Sequence, residues 1–393
     1  MRIHRNLAYA AGEIIRAVFD DKKVLDRVLS NSFRVNPKWG KRDRAFIAET
    51  VFEVVRWRRA LGFLAQCEKI EALCAAQWIR MGFEIPKWWV HDGADGDTIH
   101  SLESDLEEQP RAVRASIPDW IDRLGQEELG DKWTDELSAL NQRAEVYLRV
   151  NTLKTSRPEA ILWLNKYGVI ANEVPELPDA LVLLNGQKLP KSLREDGRVE
   201  IQDAGSQMIA PLLGAQPGET VIDACAGAGG KALHLAALMQ NKGQIIAMDI
   251  APKKLHELDR RSKRSHPYPC IKTHIIDAKT VVNYKETADR ILIDAPCSGM
   301  GTLKRQPDLK WRLAPDSIKC ARAIQYECLD SYSEMLKPGG CLVYATCSVL
   351  PSENRGNIDR ILQQGRFELS QEYTLSPAKT GYDGFYAAVL MKK

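Results

Sequence analysis

Residues 201–393 predict an α/β domain built on a doubly wound, mostly parallel sheet. Two observations carry that expectation. Short apolar runs recur in ETVIDACAG, GQIIAMDI, CIKTHIID, DRILIDAPC and CLVYATCS, and segments of helical periodicity separate them. Strands covered on both faces read as such continuous runs, and alternation with helices supplies the crossovers that parallel strands need. Two further textures precede this region. At Tyr147, YLRVNTLK reads as a strand, followed by a helix over 157–167 and short strands near Val174 and over 181–184. That is a small α+β insert, residues 144–200. Residues 1–143 predict a helical domain. Leu7, Ala11, Ile14, Ile15 and Val18, then Phe46, Ile47, Val51, Val54 and Val55, recur at helical spacing. Pro37 and Gly40 punctuate between them, 86–100 reads as a Gly/Asp-rich loop, and Pro110 and Pro118 break the helices of 101–143.

The 393 residues suit two or three domains, and 44% hydrophobic with 27% charged residues is ordinary globular usage. The net charge of +3 hides a regional contrast. Residues 1–60 carry 14 Lys/Arg against 7 Asp/Glu, whereas 92–140 carry 4 against 14. A basic segment commonly faces nucleic acid, and a solvated helix face has an equal claim on charge alone. No apolar run is long enough to span a bilayer, and MRIHRNLAYAAGEIIRAVF lacks the contiguous apolar stretch of a signal peptide. The nine cysteines include no C-x-x-C pair and no zinc-like cluster, so no metal site is expected. Free thiols in a reduced, cytoplasmic setting fit best.

The first strand of the sheet runs into Asp223-Ala-Cys-Ala-Gly-Ala-Gly-Gly-Lys231, and a helix follows. Such a turn brings backbone N–H groups close to a ligand at the positive end of a helix. The next strand ends in Asp249, where an acid can hold the hydroxyls of a ribose. A phosphate-binding P-loop fails here, because Ala232 follows the lysine and Cys225 stands where the motif's first glycine belongs. Gly227, Gly229 and Ala232 satisfy a dinucleotide fingerprint only nominally. S-adenosylmethionine, an adenosine cofactor without phosphates, would use the same turn and the same acid. The turn alone leaves both open.

Two cysteines farther on favour the second. The fourth strand ends in Asp294-Ala-Pro-Cys297-Ser, the fifth in Ala345-Thr-Cys347-Ser. Ligands of open α/β sheets sit beyond the carboxyl ends of the strands, so neighbouring strands would open both thiols onto the cofactor crevice. Hydride transfer has no evident use for them. Methylation of cytosine carbon 5 does: that carbon is a poor nucleophile until a thiolate adds to carbon 6. An acid such as Asp294 could hydrogen-bond the amidine edge of the base.

The blocks IQDAGSQMIAPLL (201–213), DAPCSGMGTLKRQPDLKW (294–311), YATCSVLPSENRGNI (344–358) and YDGFYAAVLMKK (382–393) together resemble the Sun/RsmB (Fmu) family of bacterial RNA cytosine-5 methyltransferases, relatives of the Nop2/Sun enzymes. The resemblance is strong from Leu148 to the last residue and weak over the first 60. It implies a class I, Rossmann-like methyltransferase fold, S-adenosylmethionine as cofactor, and RNA as partner, with small-subunit ribosomal RNA favoured over transfer RNA. It implies that Cys347 attacks the base and Cys297 assists release. The cofactor loop falls on Cys225, Ala226, Gly227, Ala228, Gly229, Gly230 and Lys231. The ribose acid falls on Asp249, the adenine-side acid on Asp277, and a further acid on Asp294. The family turn usually reads C-A-A-P-G-G-K, so Gly227 and Ala228 depart from it; Gln306 replaces a common histidine. The N-terminal helices resemble a diverged NusB-like RNA-binding domain. A monomer free of membrane is expected. A target base must be unpaired or flipped out, and Arg149, Asn151, Lys304, Arg305, Lys310 and Trp311 are candidates to hold the RNA around it. Alternatives are a transfer RNA enzyme and a catalytically silent RNA-binding assembly factor.

Overall fold

A computed structural model describes residues 3–184, 186–265 and 269–393. The chain forms two compact units, Met1–Gln142 with Leu303–Pro315, and Arg143–Thr302 with Asp316–Lys393.

The first unit is helical. Helices Arg5–Phe19, Lys41–Arg56, Arg58–Ala65 and Ile70–Arg80 turn their apolar stripes inward, with Ile15, Val18, Ile47, Val51, Val54 and Leu61 all buried. Thr50 in this core accepts the indole N–H of Trp78 at 2.9 Å. The loop after residue 80 ends where the Asp95 carboxylate caps helix Gly96–Glu108 by accepting the Thr98 N–H. Pro110 and Pro118 stand directly before helices Arg111–Arg114 and Asp119–Leu129, where a missing N–H costs nothing.

Residues 303–315 belong to this helical unit, although the sequence pattern assigns them to the domain of the parallel sheet. The reason is chemical. Lys310 is fully buried; its ammonium donates to the Arg56 carbonyl at 2.7 Å and to Asn141 Oδ1 at 3.0 Å. Trp311 donates its indole N–H to the Val55 carbonyl at 2.7 Å and meets Phe19 edge-on. The Arg58 guanidinium lies over both rings, 4.4 Å from the Phe19 centroid and 5.5 Å from that of Trp311. Arg56 in turn donates to the Lys304 carbonyl at 3.0 Å. The sequence pattern expects Lys304, Lys310 and Trp311 to face RNA. Lys304 and Lys310 are instead buried, and Trp311 is engaged inside the unit.

The second unit holds two sheets among the described residues. Strands β1 (Tyr147–Val150), β2 (Ala171–Glu173), β3 (Ala180–Leu183) and β4 (Val199–Ile201) form an antiparallel sheet in the order β2-β3-β1-β4. Helix Arg157–Lys166 covers it, started by a capping box between Ser156 and Glu159. On β1, Arg149 is buried and donates to Gln202 Oε1 at 2.7 Å; the nearby Asn151 amide donates to the Gly197 carbonyl at 3.0 Å. The sequence pattern expects both at the RNA, and both are instead buried inside the protein.

The larger sheet comprises β5 (Thr220–Asp223), β6 (Gln244–Asp249), β7 (Ile271–Ile275), β8 (Ala288–Asp294), β9 (Leu336–Thr346), β10 (Phe367–Leu375) and β11 (Phe385–Lys392). Its order is β7-β6-β5-β8-β9-β11-β10. Strands β5 to β9 run parallel, while β11 is antiparallel to β9 and β10 to β11. The order reverses between β5 and β8, which puts a crevice at their carboxyl ends. Strands β8 and β9 are neighbours, with Asp294 paired to Ala345. The sequence stretches leading to Cys297 and Cys347 thus leave the sheet side by side.

Candidate active site

The site grows from the ends of β5, β8 and β9. After β5 the chain turns through Cys225–Gly229 into helix Gly230–Leu238. Gly229 has φ +85, and a Cβ there would lie 2.4 Å from Leu258 Cδ1, so only glycine fits. The Asp249 carboxylate, at the end of β6, steadies the turn by accepting the Gly227 N–H at 3.0 Å and the Ala251 N–H at 2.8 Å. Lys254 lies 3.4 Å from the same carboxylate. Asp277 sits beyond β7 and is exposed. It caps helix Ala278–Asn283, accepting from the Thr280 N–H and hydroxyl at 2.7 and 2.8 Å, and those bonds hold it below the ordinary carboxylate range.

A cleft of about 310 Å³ opens at the turn, lined by Gln202, Ser206, Asp223, Cys225, Gly227, Lys231, Lys254 and Asp294 among others. Asp249 and Asp277 are not among the residues lining it. Asp223, Gln202, Ser206 and Lys254 line the cleft without belonging to any of the residues the sequence pattern marks for the cofactor. The signal for Asp223 was an acid ending an otherwise apolar strand.

Electrostatics single out two acids. Asp223 is wholly buried, and its oxygens lack a well-formed hydrogen bond, with the Cys225 N–H giving only slight relief. Burial and the nearby Asp294 push its carboxyl up to about 7. Asp294 pairs with Lys231, Nζ to Oδ2 at 2.5 Å. Burial acts to lower the Lys231 ammonium, yet Asp294 together with Cys347 and Asp223 outweighs it and holds the lysine above its ordinary value.

The thiols meet next to this pair. Cys297 and Cys347 approach to 3.2 Å, sulfur to sulfur, and both are half-buried. The hydrogen bond with Cys347, and then burial, raise the Cys297 thiol well above its ordinary value. The two loops are tied by backbone as well: the Gly301 N–H donates to the Cys347 carbonyl at 2.9 Å, and the Gly384 N–H to the Gly301 carbonyl at 2.8 Å.

A probable ribosomal RNA small subunit methyltransferase B from Synechocystis is 36% identical over 301 residues, covering 70% of this chain and 67% of that protein. The chain belongs to the RsmB/F methyltransferase family. The family described as 16S rRNA methyltransferase RsmB/F matches residues 210–391, and its ferredoxin-like domain matches 117–189. The small subunit methyltransferase B of Shewanella oneidensis is 33% identical over 309 residues, 73% of this chain and 69% of that one. Among solved structures, a methyltransferase homolog protein from Pyrococcus horikoshii superposes with a TM-score of 0.63 at 27% identity, covering 74% of this chain and 99% of that one. NSun6 from the same organism, solved with SFG, has the same TM-score at 22% identity, covers 70% of this chain and 98% of that one, and shares the fold.

As a member of the RsmB/F family the protein is an S-adenosylmethionine-dependent RNA methyltransferase with a class I, Rossmann-like fold. The dinucleotide reading of the glycine turn falls away with that membership. The cleft fits the cofactor on its own evidence. Asp223 is a buried carboxylate short of a donor, which an ammonium supplies. The first turn of helix Gly230–Leu238 offers the N–H groups and positive dipole end that a carboxylate needs. S-adenosylmethionine carries both groups at its amino-acid end.

Proposed function

We propose that this RsmB/F protein methylates carbon 5 of a cytosine in small-subunit ribosomal RNA, with Cys347 as the covalent nucleophile. The observation that carries the reading is the 3.2 Å approach of two thiols that do not themselves line the cleft, with Cys347 close enough to act on the charge of Lys231, whose pairing with Asp294 does line it.

The division of labour follows from the surroundings of each group. Cys347 attacks as the thiolate, favoured by the S–H of Cys297 and by the ammonium of Lys231. Its sulfur bonds to carbon 6 of the cytosine, and the carbon 5–carbon 6 π pair shifts onto carbon 5. Asp294, paired with Lys231, has lone pairs left to accept the exocyclic amino N–H on carbon 4. Uracil would present a carbonyl there, acceptor against acceptor, so the same carboxylate selects cytosine. S-adenosylmethionine, when bound, supplies the methyl group from its sulfonium. Cys297 then takes the proton leaving carbon 5. Its thiol is held high chiefly by Cys347, and that influence falls once Cys347 is consumed in the adduct, so Cys297 first gives its own proton to solvent water. The returning electron pair restores the ring double bond and expels Cys347 as thiolate.

We also place the RNA on the exposed basic residues of the helical unit, Arg27, Arg34, Lys38, Lys41 and Arg42, and on the half-buried Arg305. Methyl transfer from labelled S-adenosylmethionine to ribosomal RNA, mapped by bisulfite sequencing, tests the target. A Cys297→Ala variant should accumulate a covalent RNA–protein adduct, and Cys347→Ala should form none. The opposite pattern would exchange the two roles.

A further inference from the structure

Behind the two thiols lies a carboxylate that the mechanism above does not use. Glu353 is 0% exposed. Its Oε1 accepts the Ser298 N–H at 2.8 Å and the Gln325 amide at 2.8 Å; its Oε2 accepts both the Ser298 and the Ser348 hydroxyls at 2.5 Å. Four donors on two oxygens saturate an ionised, acceptor-only carboxylate. The two serines are the residues directly after Cys297 and Cys347, and their roles match. Each donates its hydroxyl to Glu353 and accepts a backbone N–H two residues on, Met300 to Ser298 at 3.3 Å and Leu350 to Ser348 at 3.2 Å. Glu353 is itself held. Its carbonyl accepts the Tyr344 hydroxyl at 2.8 Å and the Asn357 amide at 3.1 Å, and the neighbouring Asn354 amide donates to the Ser348 carbonyl at 3.0 Å.

We infer that Glu353 is a positioning residue: by clamping Ser298 and Ser348 on one carboxylate it sets the distance and orientation of Cys297 against Cys347. Its effect on turnover rests on the cytosine reading; its effect on thiol geometry does not. A buried carboxylate meeting four donors is a stiff joint, since losing the charge turns a matched acceptor into a group that competes with the hydroxyls. Glutamine at 353 presents an N–H₂ where one acceptor oxygen stood. The cysteine loops must then part or re-aim.

The test uses the full chain with phenylarsine oxide, which condenses with two adjacent thiols to form two As–S bonds and releases one water. Peptide mapping locates the arsenic. The wild type should capture it at Cys297 and Cys347, and Cys347→Ala should not. Glu353→Gln should capture at that pair at least tenfold more slowly, with S-adenosylmethionine affinity within about twofold of wild type. Its kcat should fall at least tenfold with KM for the cofactor unchanged. If Glu353→Gln does not fold, Ser348→Ala, which removes one of the four donors, should show the same split between thiol capture and cofactor affinity. Unchanged capture in a folded variant overturns the inference, as does a wild type that captures no arsenic at this pair. Cofactor affinity lost in step with capture also overturns it, because a general collapse would do the same. Altered capture in a protein whose wild type transfers no methyl to cytosine would refute the catalytic reading and leave the positioning role standing.

Discussion

Replacing Asp223 by asparagine separates what this acid costs the fold from what it gives the cofactor. Burial, with Asp294 adding to it, moves the carboxyl from 3.8 to about 7. A gap of about three pH units corresponds to roughly 4 kcal/mol against the ionised form, a ceiling for the cost in the free protein. The sign follows from proton counting. The folded state holds a proton that the unfolded state has already lost, so stability falls as pH rises from 3.8 toward 7 and is level above. An asparagine side chain is isosteric and neutral, so Asp223→Asn should raise the melting temperature by several degrees at pH 8 and by much less at pH 4.5. Binding should move the other way. If an ammonium of the cofactor needs the carboxylate, wild-type affinity for S-adenosylmethionine should improve about tenfold from pH 6 to 8, as the ionised fraction of a group titrating near 7 rises by that factor. The variant should bind weakly and show no such slope. Calorimetric unfolding and isothermal titration at the two ends of the range measure both effects. An asparagine variant that is no more stable at pH 8 yet binds like wild type would refute the assignment of Asp223 to the cofactor.

Three further substitutions probe other parts of the molecule. Lys310→Ala strips donors from the Arg56 carbonyl and Asn141 and leaves a cavity, so it should cost about 2–4 kcal/mol by chemical denaturation. The salt dependence of RNA binding should stay the same, because a fully buried lysine neutralises no phosphate. Gly301→Ala puts a Cβ 2.1 Å from the Gly384 carbonyl oxygen and 2.9 Å from that of Cys347, and should lower stability by about 2 kcal/mol or more while displacing the Cys347 loop. Gly229→Ala, strained at φ +85 and driven into Leu258, should weaken cofactor binding more than it lowers the melting temperature, as read by titration beside thermal unfolding.

The parallel sheet was legible because its strands are covered on both faces and leave unbroken apolar runs; β5, β6, β8 and β9 fall where ETVIDACAG, GQIIAMDI, DRILIDAPC and CLVYATCS lie. The convergence of Cys297 and Cys347 was legible for a topological reason. Residues that follow parallel strands emerge at one edge, so two cysteines in matched positions need only neighbouring strands to meet. The N-terminal helices were legible through their apolar stripes. In the small insert a helix and two short strands lie where the pattern put them, whereas helix Lys191–Asp196 and β4, which pairs with β1, left no legible signal.

What escaped the sequence is the fate of individual polar side chains. Lysine, arginine and tryptophan after a catalytic block look like RNA contacts because charge is ordinarily solvated. Yet Lys310 is buried among carbonyls, where desolvation and then Arg56 drive its ammonium well below the ordinary lysine value. Burial of a cation depends on acceptors contributed by residues as distant in the chain as Arg56 and Asn141, and no local pattern encodes that meeting. Glu353 escaped for the same reason, since a lone acid in PSENRGN reads as surface. The signal that could have found it is indirect. Both cysteines are followed by serine, and two hydroxyls brought to one sheet edge away from solvent each require an acceptor, which a single carboxylate can supply to both. Of the charged residues nearby in the sequence, only an acid can accept from both at once. A buried polar residue next to paired motifs is thus better sought by asking which donors would otherwise be stranded than by asking which residues are charged.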